Sequence, residues 1–266
     1  MSIVEREVSP SKIAFELQGL QRQRTWYLKS RIMVANRLQA TVAGADGYYS
    51  GMKEKERQKA FVNAAKTIKA IVFDNEEHEL TAMVNTTWMA INGFDEQKIL
   101  LEAKMLSLAR ALPIASWVLD KPQRGYGLHM MAVTIGETGD LANYSNPAKV
   151  WKRMGCAPYT KEDKTAMGST WRFGKEGKLT AKEWAEFGYS PRRRSIAYVI
   201  GEGLIKLNKD GPYRTRYDDA RETFLKRHPD YSKGRCHYHG MLCATKLLLK
   251  NLWLEWNDVE YKPYNR

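Results

Sequence analysis

Apolar residues in the first third of the chain recur at steps of three and four. Ile13, Leu17, Leu20, Tyr27, Leu28, Ile32, Ala35 and Leu38 form one such stripe, with Gln21, Arg22, Gln23, Arg24, Lys29 and Arg31 filling the gaps. That period predicts one long amphipathic helix, opened by Ser9-Pro10-Ser11 and broken at Gly44-Ala45-Asp46-Gly47. A second helix is predicted from Lys53 through Ala60, Phe61, Ala64, Ile68 and Ile71. A third begins near Asn75–His78 and carries Leu80, Met83, Val84, Trp88 and Met89. Asn92-Gly93 reads as a turn. A further helix from Asp95 carries Ile99, Leu100, Ala103, Met105, Leu106 and Ala109, and stalls at Pro113. Residues 1–120 therefore read as a helical bundle or coiled-coil arm whose stripes are core.

The second half has a different texture. Glycines fall in patterned positions, and tryptophan and tyrosine rise. Alternating strand patterns are few, and Ser195–Ile200 reads as buried helix because its period continues to Leu207. The expected fold is mainly α: a helical arm over 1–120, then a second domain over 121–266. There is no run of eighteen apolar residues, so no membrane span is expected. MSIVEREVSPSK has no apolar h-region, so no signal peptide is expected either. Three cysteines, Cys156, Cys236 and Cys243, do not make a disulfide framework in 266 residues, and a reducing, cytoplasmic setting fits best.

Charge sharpens the division. The chain carries a formal net charge of +13. Residues 1–120 hold 16 Lys+Arg against 14 Asp+Glu, whereas residues 121–266 hold 27 against 16. A basic excess confined to one part is the electrostatic footprint of a nucleic-acid binder, because each neutralised phosphate releases condensed counterions. A membrane surface fits less well, since no helix joins a long Lys/Arg face to a continuous apolar one.

Within the basic part, Gln123-Arg124-Gly125-Tyr126-Gly127-Leu128 lies between two helical stretches, 99–119 and 128–136. A Gly-x-Gly turn between helices is the helix-hairpin-helix signature. Gly125 and Gly127 permit a tight turn, and the N–H groups opening the second helix can meet a phosphate without reading sequence. Arg192-Arg193-Arg194 opens the helix after Pro191 and could grip a backbone, although a tri-basic run is more often a solvated face. Trp151, Lys152, Arg153 and Trp171 interleave aromatic and basic groups as unpaired bases require, but core tryptophan is equally common. Cys236, His239 and Cys243 carry metal-capable atoms at a spacing that matches no common zinc pattern; packing is the preferred reading and no metal site is expected. Glu137 and Asp140 read as a cap or an ion pair rather than a catalytic pair.

The stretch Gly125–Tyr159, GYGLHMMAVTIGETGDLANYSNPAKVWKRMGCAPY, resembles the C-terminal domain of the DEDD-type transposases of bacterial insertion sequences, the group that includes the Piv-type invertases. That family shows a Gly-x-Gly hairpin, then a helix, then a segment matched here by Glu137, Gly139, Asp140, Tyr144, Gly155 and Pro158. The likeness continues through Phe187–Arg194, Tyr217 and the final helix Lys233–Leu248. Gln21–Leu38 is similar to the family's coiled-coil helix, with Asn36-Arg37-Leu38 matching its Asn-Arg-Leu. The resemblance spans most of residues 20–250, interrupted by an apparent insertion over 45–95.

The resemblance implies a protein of DNA recombination that binds DNA, with structured RNA as the alternative, and that forms a homo-oligomer through its helical arm. The family's RuvC-like domain, which supplies the acidic metal cluster, has no expected counterpart ahead of a helical region starting near residue 11. The chain on its own is therefore expected to need no cofactor, with Mg²⁺ entering only if a partner supplies that domain. The family's serine nucleophile corresponds in position to Ser169 in Met167-Gly168-Ser169-Thr170. No base is evident beside it, so enzymatic activity stays open. The expected nucleic-acid contacts are Arg124, Gly125, Gly127, Lys152, Arg153, Arg172, Lys175, Arg192, Arg193 and Arg194. Two alternatives stand beside this reading: a recombinase subunit using Ser169 with a RuvC-like partner, and a regulator acting by protein contact.

Overall fold

The computed structural model describes residues 9–120, 123–157, 190–207 and 209–258. Every regular element among them is helical, and the fold is mainly α. The first helix begins where the sequence signals it. Ser9 Oγ accepts from the Lys12 N–H at 3.4 Å and the Ser9 carbonyl from Ile13 at 3.2 Å. Pro10, lacking an N–H to satisfy, takes the first helical position. From there α1 runs Pro10–Ala45.

Helix α2, Glu54–Lys69, has Glu54 and Glu56 in its first turn and Lys66 and Lys69 in its last, the arrangement that complements the helix dipole. It widens into a π-helical turn, Ala70–Asp74, and stops at Asn75 in the left-handed region at φ 55°. Asparagine is one of the few side chains that enter this region readily. The sequence places the start of the third helix at Asn75–His78, but α3 runs Thr81–Arg110. His78 precedes it as part of the cap, its N–H donating to Thr81 Oγ1 at 2.9 Å.

The Asn92-Gly93 turn is not formed, and α3 passes straight through it. A glycine inside a helix costs about 1 kcal/mol. The buried residues Val84, Ile91 and Met105 on either side contribute more than that to keeping one helix. Four shorter elements follow α3: α4 Ala115–Leu119, α5 Leu128–Thr138, a 3₁₀ turn Leu141–Asn143 and α6 Pro147–Arg153. Three longer helices, α7 Pro191–Leu207, α8 Pro212–Arg227 and α9 Lys233–Trp256, complete the described chain. The buried-helix reading of Ser195–Ile200 matches α7, which buries Ala197, Ile200, Gly201 and Leu204.

Packing divides the chain into residues 20–104 and residues 1–19 with 105–266. This is a division by contact, whereas the sequence boundary at 120 is one of charge. In the first unit α1 and α3 are antiparallel, as Arg24–Glu102 at 2.7 Å and Arg31–Asp95 at 2.9 Å record. Helix α2 with its π turn closes a core of Leu38, Val42, Ala43, Ala64, Ile68, Ile71, Val84 and Ile91. Over residues 20–33 and 92–104 the helices instead leave Trp26, Ile32, Met33, Ile99 and Leu100 more than half exposed.

The second unit is organised around α9, which packs against α6, α7 and α8. Helix α5 is buried from Met131 to Thr138, as an apolar helix inside a domain must be. The tryptophans of the sequence fasten these layers. The indole N–H groups of Trp151, Trp253 and Trp256 donate to the carbonyls of Lys246 and Tyr144 and to Asp140 Oδ1, at 2.9, 2.8 and 2.9 Å. No described helix is long and apolar enough to cross a membrane.

Candidate nucleic-acid interface

The Gly125–Gly127 turn is built by an unusually close crossing of two backbones. Gly125 has φ +101°, and a Cβ added to it would lie 2.3 Å from the carbonyl oxygen of Gly203 on α7. A Cβ on Gly203 would in turn meet the Gly125 carbonyl at 2.5 Å. Only two glycines allow this approach. Tyr126 is fully buried next to them. Arg124 and Gly127 face solvent, with Gly127 the N-cap of α5. The turn thus has an anchored inner half and an outer half. The outer half holds one guanidinium and the first-turn N–H groups of α5, which have no acceptor within the helix.

The tri-basic run has a different environment from the one expected. Glu137, near the end of α5, has a side chain only 2% exposed. Arg192 donates to both its carboxylate oxygens, at 2.7 and 2.8 Å, and Arg193 Nε reaches it at 3.3 Å. Arg153 Nε donates to the Glu137 carbonyl at 3.1 Å, and Arg194 to the Gly155 carbonyl at 2.7 Å. These four arginines bind α5, α6 and α7 to one another. The physical reason is the carboxylate: a charge buried in a helix end is tolerated only with opposite charge and hydrogen bonds around it. The ion-pair reading of Glu137 matches this geometry. Asp140 is a cap, accepting from Ala142 N at 2.9 Å and from Ser11 Oγ and Trp256 Nε1.

Lys152 is exposed on α6. Trp151, which could have stacked on a base, is held on α9, with Lys246 Nζ 5.6 Å from its ring. Ser169, Trp171, Arg172 and Lys175 lie outside the described residues. Cys236 is buried. Cys243 Sγ is 3.7 Å from His239 Nε2, and His239 stacks on Phe224 with centroids 3.9 Å apart. No group of three His, Cys, Asp or Glu side chains converges among the described residues. Burial pushes the Cys156 thiol up to about 11 and raises that of Cys243, so both are neutral and poor nucleophiles near neutral pH.

Sequence reading missed a depression of about 370 Å³ at the junction of α7 and α8, lined by Ile205, Lys206, Lys209, Arg214 and Asp218. Two of its cations are paired, Lys206 with Glu202 at 3.1 Å and Arg214 with Asp218 at 2.7 Å. Its basic residues are isolated in a mixed-charge stretch, and no motif marks them. Searches of protein-family models, curated proteins and solved structures find no match to this chain.

Proposed function

We propose that the chain is a polynucleotide-binding protein of DNA recombination, related to the helical region and C-terminal domain of the DEDD-type insertion-sequence transposases. It holds the phosphate backbone of DNA, or of structured RNA, without reading bases. The observation that carries this reading is the divided turn at 124–127. Tyr126 is buried and the Gly125 backbone is fixed against Gly203, while Arg124 and Gly127 on either side are exposed. A cation on a fixed backbone beside first-turn N–H groups that lack intrahelical acceptors suits a phosphate. The excess of eleven positive charges over residues 121–266 supplies the long-range attraction. Lys152 extends the same reading. Arg153, Arg192, Arg193 and Arg194 act one step back, by positioning the helices that carry the surface.

A second copy of the chain is the partner that fits the helical unit. Trp26, Met33, Ile99 and Leu100 are exposed where only two helices pack. The acids Asp95 and Glu102 are already paired with Arg31 and Arg24 within one copy, so the apolar groups carry this proposal. Two such helix pairs meeting over these residues bury them, completing a four-helix bundle.

The test is fluorescence anisotropy with a short duplex and an RNA hairpin between about 50 and 200 mM salt. Affinity falls linearly on a log–log plot, and Arg124→Ala lowers the slope by about 0.9, the value of one phosphate contact on duplex DNA. Affinity that does not change with salt overturns the proposal.

A further inference from the structure

The turn between α8 and α9 is rich in exposed cations, three of which have no carboxylate partner among the described residues. Residues 224–235 read FLKRHPDYSKGR, with four basic residues against the single carboxylate of Asp230. Lys226 is paired with Glu222 at 2.7 Å. Arg227, Lys233 and Arg235 are exposed and make no ion pair among the described residues.

Their placement works against the local fold. Ser232 caps α9, accepting from the Arg235 N–H at 3.3 Å. Lys233 and Arg235 therefore occupy the first turn of a 24-residue helix that has no acid there. A cation at a helix N-terminus faces the positive end of the dipole and loses about 0.3–1 kcal/mol. Two of the earlier helices offset such charges, whereas Lys12 in the first turn of α1 and Lys149 in that of α6 make no ion pair among the described residues. Arg192 and Arg193 at the start of α7 meet Glu137, and Arg214 at the start of α8 meets Asp218. At α9 no carboxylate among the described residues does so, and Arg235 lies instead over the ring of Tyr231.

The turn is also held in shape. Arg235 Cζ lies 3.7 Å from the Tyr231 ring centroid. Tyr231 stacks on His228 at 4.7 Å and 9°, and Phe224, 4.7 Å from His228, stacks on His239 at 3.9 Å and 11°. This column runs from α8 across the turn to α9 and fixes the direction of the Arg235 guanidinium.

We infer that the α8–α9 turn is a second contact surface for the polynucleotide backbone, with Arg227, Lys233 and Arg235 each meeting a phosphate. This rests on the function proposed above and adds a site to it. The anion offsets the electrostatic cost at the start of α9, and the contact with Tyr231 keeps the Arg235 guanidinium from having to be ordered on binding.

The experiment compares three full-length proteins on the same duplex across the same salt range: wild type, the triple variant Arg227→Gln, Lys233→Gln and Arg235→Gln, and a control of equal charge, Lys55→Gln, Lys59→Gln and Lys66→Gln on α2. Removing three phosphate-binding cations lowers the slope by about 2.7 in the triple variant, while the control keeps the wild-type slope. An unchanged slope in the triple variant, or an equal fall in the control, overturns the inference and leaves the proposed function standing. No binding by wild type removes both. Lys233→Glu guards against misfolding of the triple variant. It places a favourable charge at the helix start, so its Tm does not fall, yet its slope drops by about 0.9. A wild-type slope in that variant is equally contrary to the inference.

Discussion

Arg124 and Arg192 are both arginines of the basic part, and the structure gives them separable roles. Arg192→Ala takes two charge-assisted hydrogen bonds from a carboxylate whose side chain is 2% exposed. Breaking a buried pair by removing one partner costs about 3–5 kcal/mol. Two features reduce that figure. Arg193 remains at 3.3 Å, and the Arg192 side chain is itself 37% exposed, so solvent already screens part of the interaction. The expected loss is about 2 kcal/mol, within the range for hydrogen bonds to a charged group. For a chain of this size that corresponds to a Tm lower by about 4–8 °C.

Circular dichroism at the helical minimum reads the melt, and anisotropy reads the salt slope at a temperature well below it. The expectation is a lower Tm with an unchanged slope for Arg192→Ala, and the reverse for Arg124→Ala. Glu137→Gln completes the set. It destabilises by about 3 kcal/mol and leaves two guanidinium groups without their carboxylate, so polynucleotide affinity holds or rises. Arg192→Ala with an unaltered Tm and a flattened slope would refute the internal role argued for it.

Three further outcomes are expected. Gly203→Ala forces a methyl to within 2.5 Å of the Gly125 carbonyl, and backbone on both sides leaves little room to relax, so chemical denaturation shows a loss of about 2–3 kcal/mol; a variant as stable as wild type removes the close crossing. His239 is held below the usual imidazole range by burial first, then by the positive charges of Lys246, Arg216 and His228. The unfolded chain therefore binds the proton more readily, and the stability due to His239 is complete above pH ~6.5 and lost as pH falls toward the folded value. His239→Phe keeps the stack on Phe224 and lessens the fall in Tm between about pH 7.5 and 5; an identical pH profile contradicts this. Trp26→Ala with Leu100→Ala shifts the mass measured by light scattering toward monomer, and a wild-type mass excludes that face as the interface between copies.

Much of the fold is legible because helical periodicity survives wherever one face is buried. Leu17, Leu38, Ala64 and Ile68 are readable as core for that reason, and all are buried. The signals that mislead are local ones. Asn92-Gly93 is a strong turn signal, yet apolar residues on both sides of it draw the chain into a single helix. The candidate site is less legible, because what a charged side chain does depends on what lies opposite in space. Nothing in Arg192-Arg193-Arg194 announces Glu137, more than fifty positions earlier, as the group the first two of them hold. Gly125 and Gly203 are comparably far apart in sequence, and each looks like an ordinary flexible residue until their backbones are seen to touch.

Spent cations differ from available ones in what lies opposite them. A net charge assigns every lysine and arginine equal weight, but a guanidinium closed onto a buried carboxylate adds little to the outer field. Arg192 and Arg193 are therefore engaged inside the fold, while Arg124, Arg227, Lys233 and Arg235 are the exposed cations on which the proposed interface rests. A helix that begins with two cations and no acid, as α9 does, is less stable than the same helix with acids there. A phosphate bound at that point, as proposed, would recover the lost energy, so that the charge that weakens the free protein would strengthen the complex.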